Sequence, residues 1–135
     1  MMQLERKTIR CMLRNSVEKF EREPSLSFVG EQPLSYIELG QQVKQLSEEL
    51  KTIGVEKGDR IAILGENSPN WCIAYLAITT MGAVAVPILP NFHASEIHHI
   101  IRSSGVRVLF CSNKLRKKVE ENISTLETVV YLDKF

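Results

Sequence analysis

Residues 59–90 read DRIAILGENSPNWCIAYLAITTMGAVAVPILP, and this stretch decides the fold of the chain. Its first six residues begin with charge and become apolar, which is typical of a strand covered on both faces. Ser68 then supplies an N-cap, and Pro69 occupies the first helical position, where a missing N–H costs nothing. The following residues, up to Met81, are apolar on nearly every side and predict a buried helix.

Gly82 marks the junction between this helix and a second strand. Glycine is the residue best able to take the left-handed conformation that ends a helix. The residues after it are apolar and partly β-branched, so they predict a second buried strand, which Pro87 is expected to bring to an end. The whole stretch therefore predicts one parallel βαβ unit.

A membrane span is a rival interpretation of this stretch, because no charged residue occurs between Glu66 and His93. A span needs about 20 apolar residues in one continuous helix. Gly82 and Pro87 interrupt the run, and neither flank carries the lysine and arginine cluster that orients a span. We therefore predict no transmembrane segment.

The composition indicates one globular domain without a nucleic-acid partner. The chain has 135 residues, of which 44% are hydrophobic and 24% charged, and its formal net charge is +1. Such a small charge gives no field that would recruit nucleic acid. The basic cluster at residues 114–118 is followed at once by Glu120 and Glu121, so we predict a solvated helix face there.

The cysteines and the polar amino terminus predict a cytoplasmic location. Cys11, Cys72 and Cys111 are far apart and odd in number, and no pair has the spacing of metal ligands. The first ten residues are too polar for a signal peptide. We therefore expect a reducing compartment and a protein that is not exported.

The residues before the central unit predict two helices and a small hairpin. An amphipathic first helix is indicated by the helical spacing of Ile9, Met12, Leu13, Val17 and Phe20. Residues 25–35 predict the hairpin. Ser35 and Glu38 form a capping box that starts a long helix, which Gly54 is expected to end. Its apolar stripe consists of Tyr36, Leu39, Val43, Leu46, Leu50 and Ile53.

The residues after the central unit repeat the alternation of helix and strand. One helix face is formed by Ala94, Ile97, Ile100 and Ile101, and Gly105 is expected to stop that helix. Residues 106–110 predict a strand. Ser112 or Asn113 can cap a helix that carries Leu115 and Val119. After Ser124 and Thr125, residues 128–132 predict the last strand.

This alternation predicts an α/β fold. Strands that alternate with helices of this length imply a doubly wound, mainly parallel sheet with helices on both faces and right-handed crossovers. The small hairpin precedes that sheet. We divide the chain into an N-terminal helix and linker, residues 1–24, and an α/β subdomain, residues 25–135.

The loops at the carboxyl ends of the strands are the places where an open parallel sheet binds ligands. Asn67, Asn91 and His93 are the polar side chains predicted to lie nearest to a cleft there, although asparagine is also common in turns for local hydrogen bonding. Gly65 does not belong to a phosphate-binding motif, and the neighbouring Glu66 would repel a phosphate.

Two other kinds of site are disfavoured by the residues themselves. A phospho-acceptor signalling domain needs an aspartate after its third strand, but the strand ends offer Glu66, Asn91 and Cys111. His98 and His99 are adjacent on a helix, so they point about 100° apart and cannot share one metal ion. We predict no catalytic, cofactor-binding or metal-ligating residue in the chain.

Four short motifs carry a family resemblance. They are Leu-Ser-Tyr at residues 34–36, Gly-Val-x-x-Gly-Asp-Arg-Ile at 54–61, Gly-Ala at 82–83 leading to Pro87, and ENSPNW at 66–71 with VPILP at 86–90. Together they resemble the amino-terminal part of the adenylate-forming enzymes, a superfamily of acyl-CoA synthetases, peptide-synthetase adenylation domains and luciferases. The resemblance runs from about Ser25 to Leu132, and its fourth motif is most similar to the long-chain fatty acyl-CoA synthetases.

The resemblance implies a two-step reaction for the complete enzyme. A fatty acid attacks ATP to give an acyl adenylate and pyrophosphate, and the thiol of coenzyme A then displaces AMP. ATP, Mg²⁺ and coenzyme A are implied for that enzyme and none for this chain, because the family's phosphate loop, ribose-binding aspartate and C-terminal lysine lie beyond residue 135. We therefore expect a scaffold that is a piece of a longer ligase or a truncated gene product.

Two functions from different classes remain. The first is an N-terminal fragment of a fatty acid:CoA ligase, whose partners would be the rest of the ligase chain and the fatty acid. The second is a stand-alone α/β binding or interaction domain without catalysis. Under either function, it is open whether a free sheet edge pairs two copies into a homodimer.

Overall fold

A parallel sheet of four strands organises the molecule, and a separate two-stranded hairpin precedes it in the chain. The computed structural model describes residues 6–120 and 125–135. In chain order the elements are α1 (Ile9–Lys19), β1 (Pro24–Leu26), β2 (Leu34–Ser35), α2 (Tyr36–Thr52), β3 (Arg60–Leu64), α3 (Pro69–Thr80), β4 (Val84–Ile88), α4 (Ala94–Ser104), β5 (Val108–Cys111) and β6 (Thr128–Tyr131). Short 3₁₀ turns follow β5 and β6, at Asn113–Lys118 and Leu132–Lys134.

The strands of the parallel sheet lie in the order β4-β3-β5-β6. Ala62 of β3 lies opposite Val86 of β4 and Leu109 of β5, and Leu109 in turn lies opposite Val129 of β6. All three pairings are parallel, whereas β1 and β2 pair antiparallel. The predicted βαβ unit and the predicted hairpin are both confirmed.

The helices begin where short-range signals in the sequence predict. The Ser68 hydroxyl accepts a hydrogen bond from the Trp71 N–H at 3.1 Å, and Pro69 is the first residue of α3. At the start of α2, the Ser35 N–H donates to Glu38 Oε2 at 2.7 Å and the Glu38 N–H donates to Ser35 Oγ at 3.3 Å. Each bond satisfies a donor that the helix itself leaves unpaired.

Two hydrophobic cores lie on opposite faces of the sheet, because successive side chains of a strand point to opposite faces. Ile61 and Ile63 of β3 belong to the core that α2 and α3 cover. Ala62 and Leu64 belong to the second core, which α4 and the first 3₁₀ turn cover. The doubly wound arrangement with helices on both faces is therefore confirmed.

Some predicted apolar positions are exposed because they lie at edges of the structure. β4 is expected to be buried, but it forms one edge of the sheet, and its Val84 is 48% exposed. Ile53 ends the predicted stripe of α2 yet follows the last helical residue, and it is also 48% exposed. Met12 of α1 and Phe20, which directly follows α1, are exposed as well.

The segment after β5 forms a 3₁₀ turn where the sequence predicts a capped helix. Ser112 precedes the turn, but its side chain makes no capping hydrogen bond. Leu115 and Val119 nevertheless lie in the second core as expected. The first hairpin strand also stops early, at Leu26, which leaves Val29 fully exposed.

Some of the predictions concern parts of the chain outside the described residues. These are the ones for Glu121, Ser124 and the first five residues of the N-terminal segment. Within residues 6–120 and 125–135, no helix combines the length and the apolar character that crossing a bilayer requires.

We predict that Gly82→Val destabilises the fold by about 2 kcal/mol, because valine is strained where the backbone is left-handed. Gly82 has φ +91°, directly after the last turn of α3. A β-carbon there would lie 3.0 Å from Cγ of Lys57, a flexible side chain that can move, so backbone strain dominates. Chemical denaturation measures the loss, and Gly82→Asn should cost less, since asparagine tolerates this conformation. Equal midpoints for Gly82→Val and the parent, at equal slope, would contradict the prediction.

Candidate functional site

A polar pocket lies at the carboxyl edge of the sheet, beside the loops that follow β3 and β5. Its volume is about 370 Å³. The loop after β3 contributes Glu66, Asn67 and Ser68, and α3 contributes Asn70. The remaining lining residues are Phe28, Ser112, Lys114, Leu132 and Asp133. The pocket thus gathers residues from four separate parts of the sequence.

Of the three predicted cleft residues, only Asn67 lines this pocket. Asn91 and His93 are exposed in the loop between β4 and α4 and do not belong to the lining. The His93 N–H donates to Glu96 Oε2 at 2.8 Å, so the backbone of this residue starts α4. The structure therefore separates Asn67 from the other two candidates, and the roles of all three remain predictions.

The loop that carries Asn91 is fixed by Lys118. The Lys118 ammonium donates to the carbonyl oxygens of Pro90 and Phe92, each at 2.8 Å. The carbonyl of Lys118 itself lies 2.8 Å from Nε2 of His98. The prediction of a solvated face for the basic cluster is thus wrong for Lys118, because its partners are distant in sequence and gave no local signal.

The 3₁₀ turn after β6 closes one side of the pocket, and two asparagines hold it there. The Asn70 amide donates to the carbonyl of Leu132 at 2.6 Å and also to that of Phe135. The Asn113 N–H donates to Oδ2 of Asp133 at 2.6 Å. Sequence reasoning missed Asn70 and Asp133 because each is placed by a contact across the fold.

Ser112 is an unusual member of the pocket lining. It is 5% exposed, and within the part of the chain that the structure describes its hydroxyl is buried without a hydrogen-bond partner. Its backbone N–H donates to the Leu64 carbonyl at 3.0 Å, which continues the pairing of β3 with β5. An unpaired buried hydroxyl is costly, so Ser112 marks a position where a further polar group would stabilise the structure.

Gly65 has a packing role at this edge and not a phosphate-binding one. A β-carbon at Gly65 would overlap Cδ1 of Leu132, so the leucine side chain packs directly against this glycine. The Ser68 hydroxyl already caps α3, and Glu66 adds a negative charge beside it. These residues do not fit ATP on their own.

Metal binding and thiol chemistry are not supported at this edge either. Among the described residues, no three His, Cys, Asp or Glu side chains form a group that could hold a metal ion. Burial raises the pKa of the Cys111 thiol to about 11, and the negative charges of Asp133 and Glu66 add to that shift. The thiol is therefore neutral near pH 7 and a poor nucleophile.

The chain is similar to known proteins along most of its length. Residues 13–135 match the family described as AMP-binding enzyme. The medium-chain acyl-CoA ligase ACSF2, mitochondrial, of Rattus norvegicus is 27% identical over 118 residues, which are 87% of this chain and 19% of that protein. Surfactin synthase subunit 1 of Bacillus subtilis (strain 168) is 32% identical over 97 residues, which are 72% of this chain and 3% of that protein.

A solved structure agrees with the fold described above. The Mycobacterium tuberculosis fatty acyl CoA synthetase superposes with a TM-score of 0.84 at 25% sequence identity, over 94% of this chain and 27% of that chain. The present chain therefore spans about a fifth of the ACSF2 ligase, about a quarter of the superposed synthetase and much less of the surfactin synthase subunit.

We predict that Gly65→Ala lowers the free energy of unfolding by about 1–3 kcal/mol, because the added methyl group overpacks against Leu132. The matched test is a double-mutant cycle with Leu132→Ala. Leu132→Ala should cost less in the Gly65→Ala background than in the parent, since there the truncation also relieves the clash with the added methyl group. Additivity of the two substitutions within about 0.3 kcal/mol would show that the two residues do not compete for this space.

Proposed function

This chain belongs to the family of AMP-binding enzymes, and from that premise we propose that it is the N-terminal part of an ATP-dependent long-chain fatty acid:CoA ligase. The observation that carries the proposal is the family match over residues 13–135, on a fold that superposes on a fatty acyl CoA synthetase. Preference for a long-chain acid is supported by the ENSPNW and VPILP motifs. A peptide synthetase among the relatives shows that the family itself is broader.

The proposed role of these residues is structural support for a reaction carried out elsewhere in the enzyme. Under this proposal the α/β subdomain begins near residue 25, and the N-terminal helix α1 and its linker precede it. The unpaired hydroxyl of Ser112 and the open polar pocket lie where further chain of the ligase can complete the carboxyl edge. ATP, Mg²⁺ and coenzyme A belong to the complete enzyme under this proposal.

The proposal extends to location and assembly. A cytoplasmic location is supported by three cysteines, Cys11, Cys72 and Cys111, none of which forms a disulfide. The outer edge of β4 is unpaired by any described strand, so the rest of the ligase or a second copy of the chain can pair with it. Pro87 removes one N–H donor from β4.

We predict that the 135-residue chain alone does not exchange labelled pyrophosphate into ATP. The reason is that the donors and cations that stabilise a transferring phosphate are not assembled by the described residues. The assay needs protein free of host synthetase, a heat-killed sample as blank and an active ligase as positive control. Exchange above the blank would overturn the proposed division of roles. An open reading frame that continues into a Ser/Thr/Gly-rich loop followed by lysine would support the ligase over a stand-alone binding domain.

We further predict that Asn91→Ala or His93→Ala, made in the complete ligase, changes KM for fatty acid or coenzyme A without moving Tm. Both side chains are exposed on the loop that Lys118 holds, so their removal should leave packing intact. Ser95→Ala, at the exposed second residue of α4, is the matched control and should change neither quantity. A lower Tm with unchanged kinetics would assign Asn91 and His93 to turn structure alone.

A further inference from the structure

An apolar groove of about 570 Å³ runs between α1 and α2, away from the polar pocket. Its floor consists of Leu13, Val17, Ile37, Val43 and Met81. Thr80 and Met81 lie at the end of α3, which is opposite to the carboxyl edge of the sheet. The volume is within the range of about 300–1,000 Å³ that is typical of small-molecule sites.

Among the described residues that line the groove, no buried side-chain polar atom lacks a hydrogen-bond partner. The buried hydroxyl of Ser47 lies 2.8 Å from the carbonyl oxygen of Val43 and 3.3 Å from that of Ala77. A ligand that covers the floor must therefore be apolar along its length, since a polar segment would lose its own hydrogen bonds to water without replacement.

Contacts of α1 with α2 and with α3 fix the shape of the groove. α1 and α2 approach each other at Gly40, where an added β-carbon would lie 3.0 Å from Cγ2 of Val17. The side chain of Arg10 ties α1 to α3, because its Nε donates to the Thr80 carbonyl at 2.6 Å. These contacts fix the position of α1, so the groove exists before any ligand binds.

The rim of the groove is basic, although the chain as a whole carries a formal charge of only +1. The charged side chains that line the groove are Arg10, Arg14, Lys44, Lys51 and, as the one acid, Glu18. Lys51 pairs with Glu48 at 3.0 Å. Lys44 makes no hydrogen bond or ion pair with any residue that the structure describes, and it is exposed beside the floor. An anionic head group would therefore find a complementary charge at Lys44.

We propose that this groove binds one long-chain carboxylate anion, with its acyl chain along the apolar floor and its head group at Lys44. An apolar floor selects the chain, and a cationic rim selects the head group. The site is separate from the carboxyl edge of the sheet, so this inference does not depend on the proposed ligase activity. The alternative is that the apolar floor and the basic rim contact an anionic membrane surface, which also combines acyl chains with negative head groups.

The test is a calorimetric titration of the 135-residue chain with dodecanoate, kept below its critical micelle concentration. Lys44→Glu should weaken binding about fivefold or more, because an attraction becomes a repulsion at the rim. Lys117→Glu is the matched control, since it makes the same charge change at an exposed position of the first 3₁₀ turn, on the other face of the sheet. It should leave binding unchanged, and both variants should keep the parental Tm.

Two ligand controls and one surface control complete the experiment. Dodecanol should bind more weakly than dodecanoate, and butanoate should not bind measurably. Methyl resonances of Leu13, Val17 and Ile37 should shift on titration, which would place the acyl chain on the floor.

Equal weakening by Lys44→Glu and Lys117→Glu, or no saturable binding, would overturn the proposal. Sedimentation with phosphatidylglycerol vesicles without binding of dodecanoate monomers would also overturn it and would assign the rim to a membrane surface.

Discussion

The burial of β3 and β5 on both faces is the constraint on which the rest of the structure depends. Ile63 and Phe110 project into the core under α2 and α3, while Leu64 and Leu109 project into the core under α4, and none of the four has measurable exposure. Because the side-chain period of a strand is two, a register slip of one residue would exchange the contents of both cores. The two helical layers are therefore held in place through one pair of strands.

The fold could be predicted from the sequence wherever the signal acts within about one helical turn. The starts of α3 and α2 could be predicted because their capping hydrogen bonds join residues only three apart. Ser68 accepts from the Trp71 N–H, and the Ser35 N–H donates to Glu38. Strand order is different. β5 inserts beside β3 although β4 precedes it in the chain, and this decides that β4 is an edge strand with Val84 exposed. The spacing of residues in the sequence does not predict this strand order.

In the candidate site, too, features set by local sequence could be predicted, whereas features set by long-range contacts could not. Asn67 could be placed at the carboxyl edge because a loop after a parallel strand must emerge there. The contacts that shape the pocket join segments that are far apart in the sequence, since Asn70 donates to the Leu132 carbonyl and the Asn113 N–H donates to Asp133. Lys118 looked like one more solvated cation, yet it bridges two carbonyl groups of another loop. The family could still be recognised, because its short motifs lie in turns and helix starts that the sequence does specify.

The contact between Leu132 and Gly65 has a consequence for the order in which the chain acquires its structure during synthesis. The first loop of the central unit is covered by a residue close to the far end of the described chain. Domains form as their residues leave the ribosome, and contacts between distant residues are the slow ones to close. After the βαβ unit has formed, the loop at Gly65 therefore stays uncovered until β6 and the turn with Leu132 have left the ribosome. A pause in translation between these segments would prolong the time during which that apolar surface is open to chaperones or to other nascent chains.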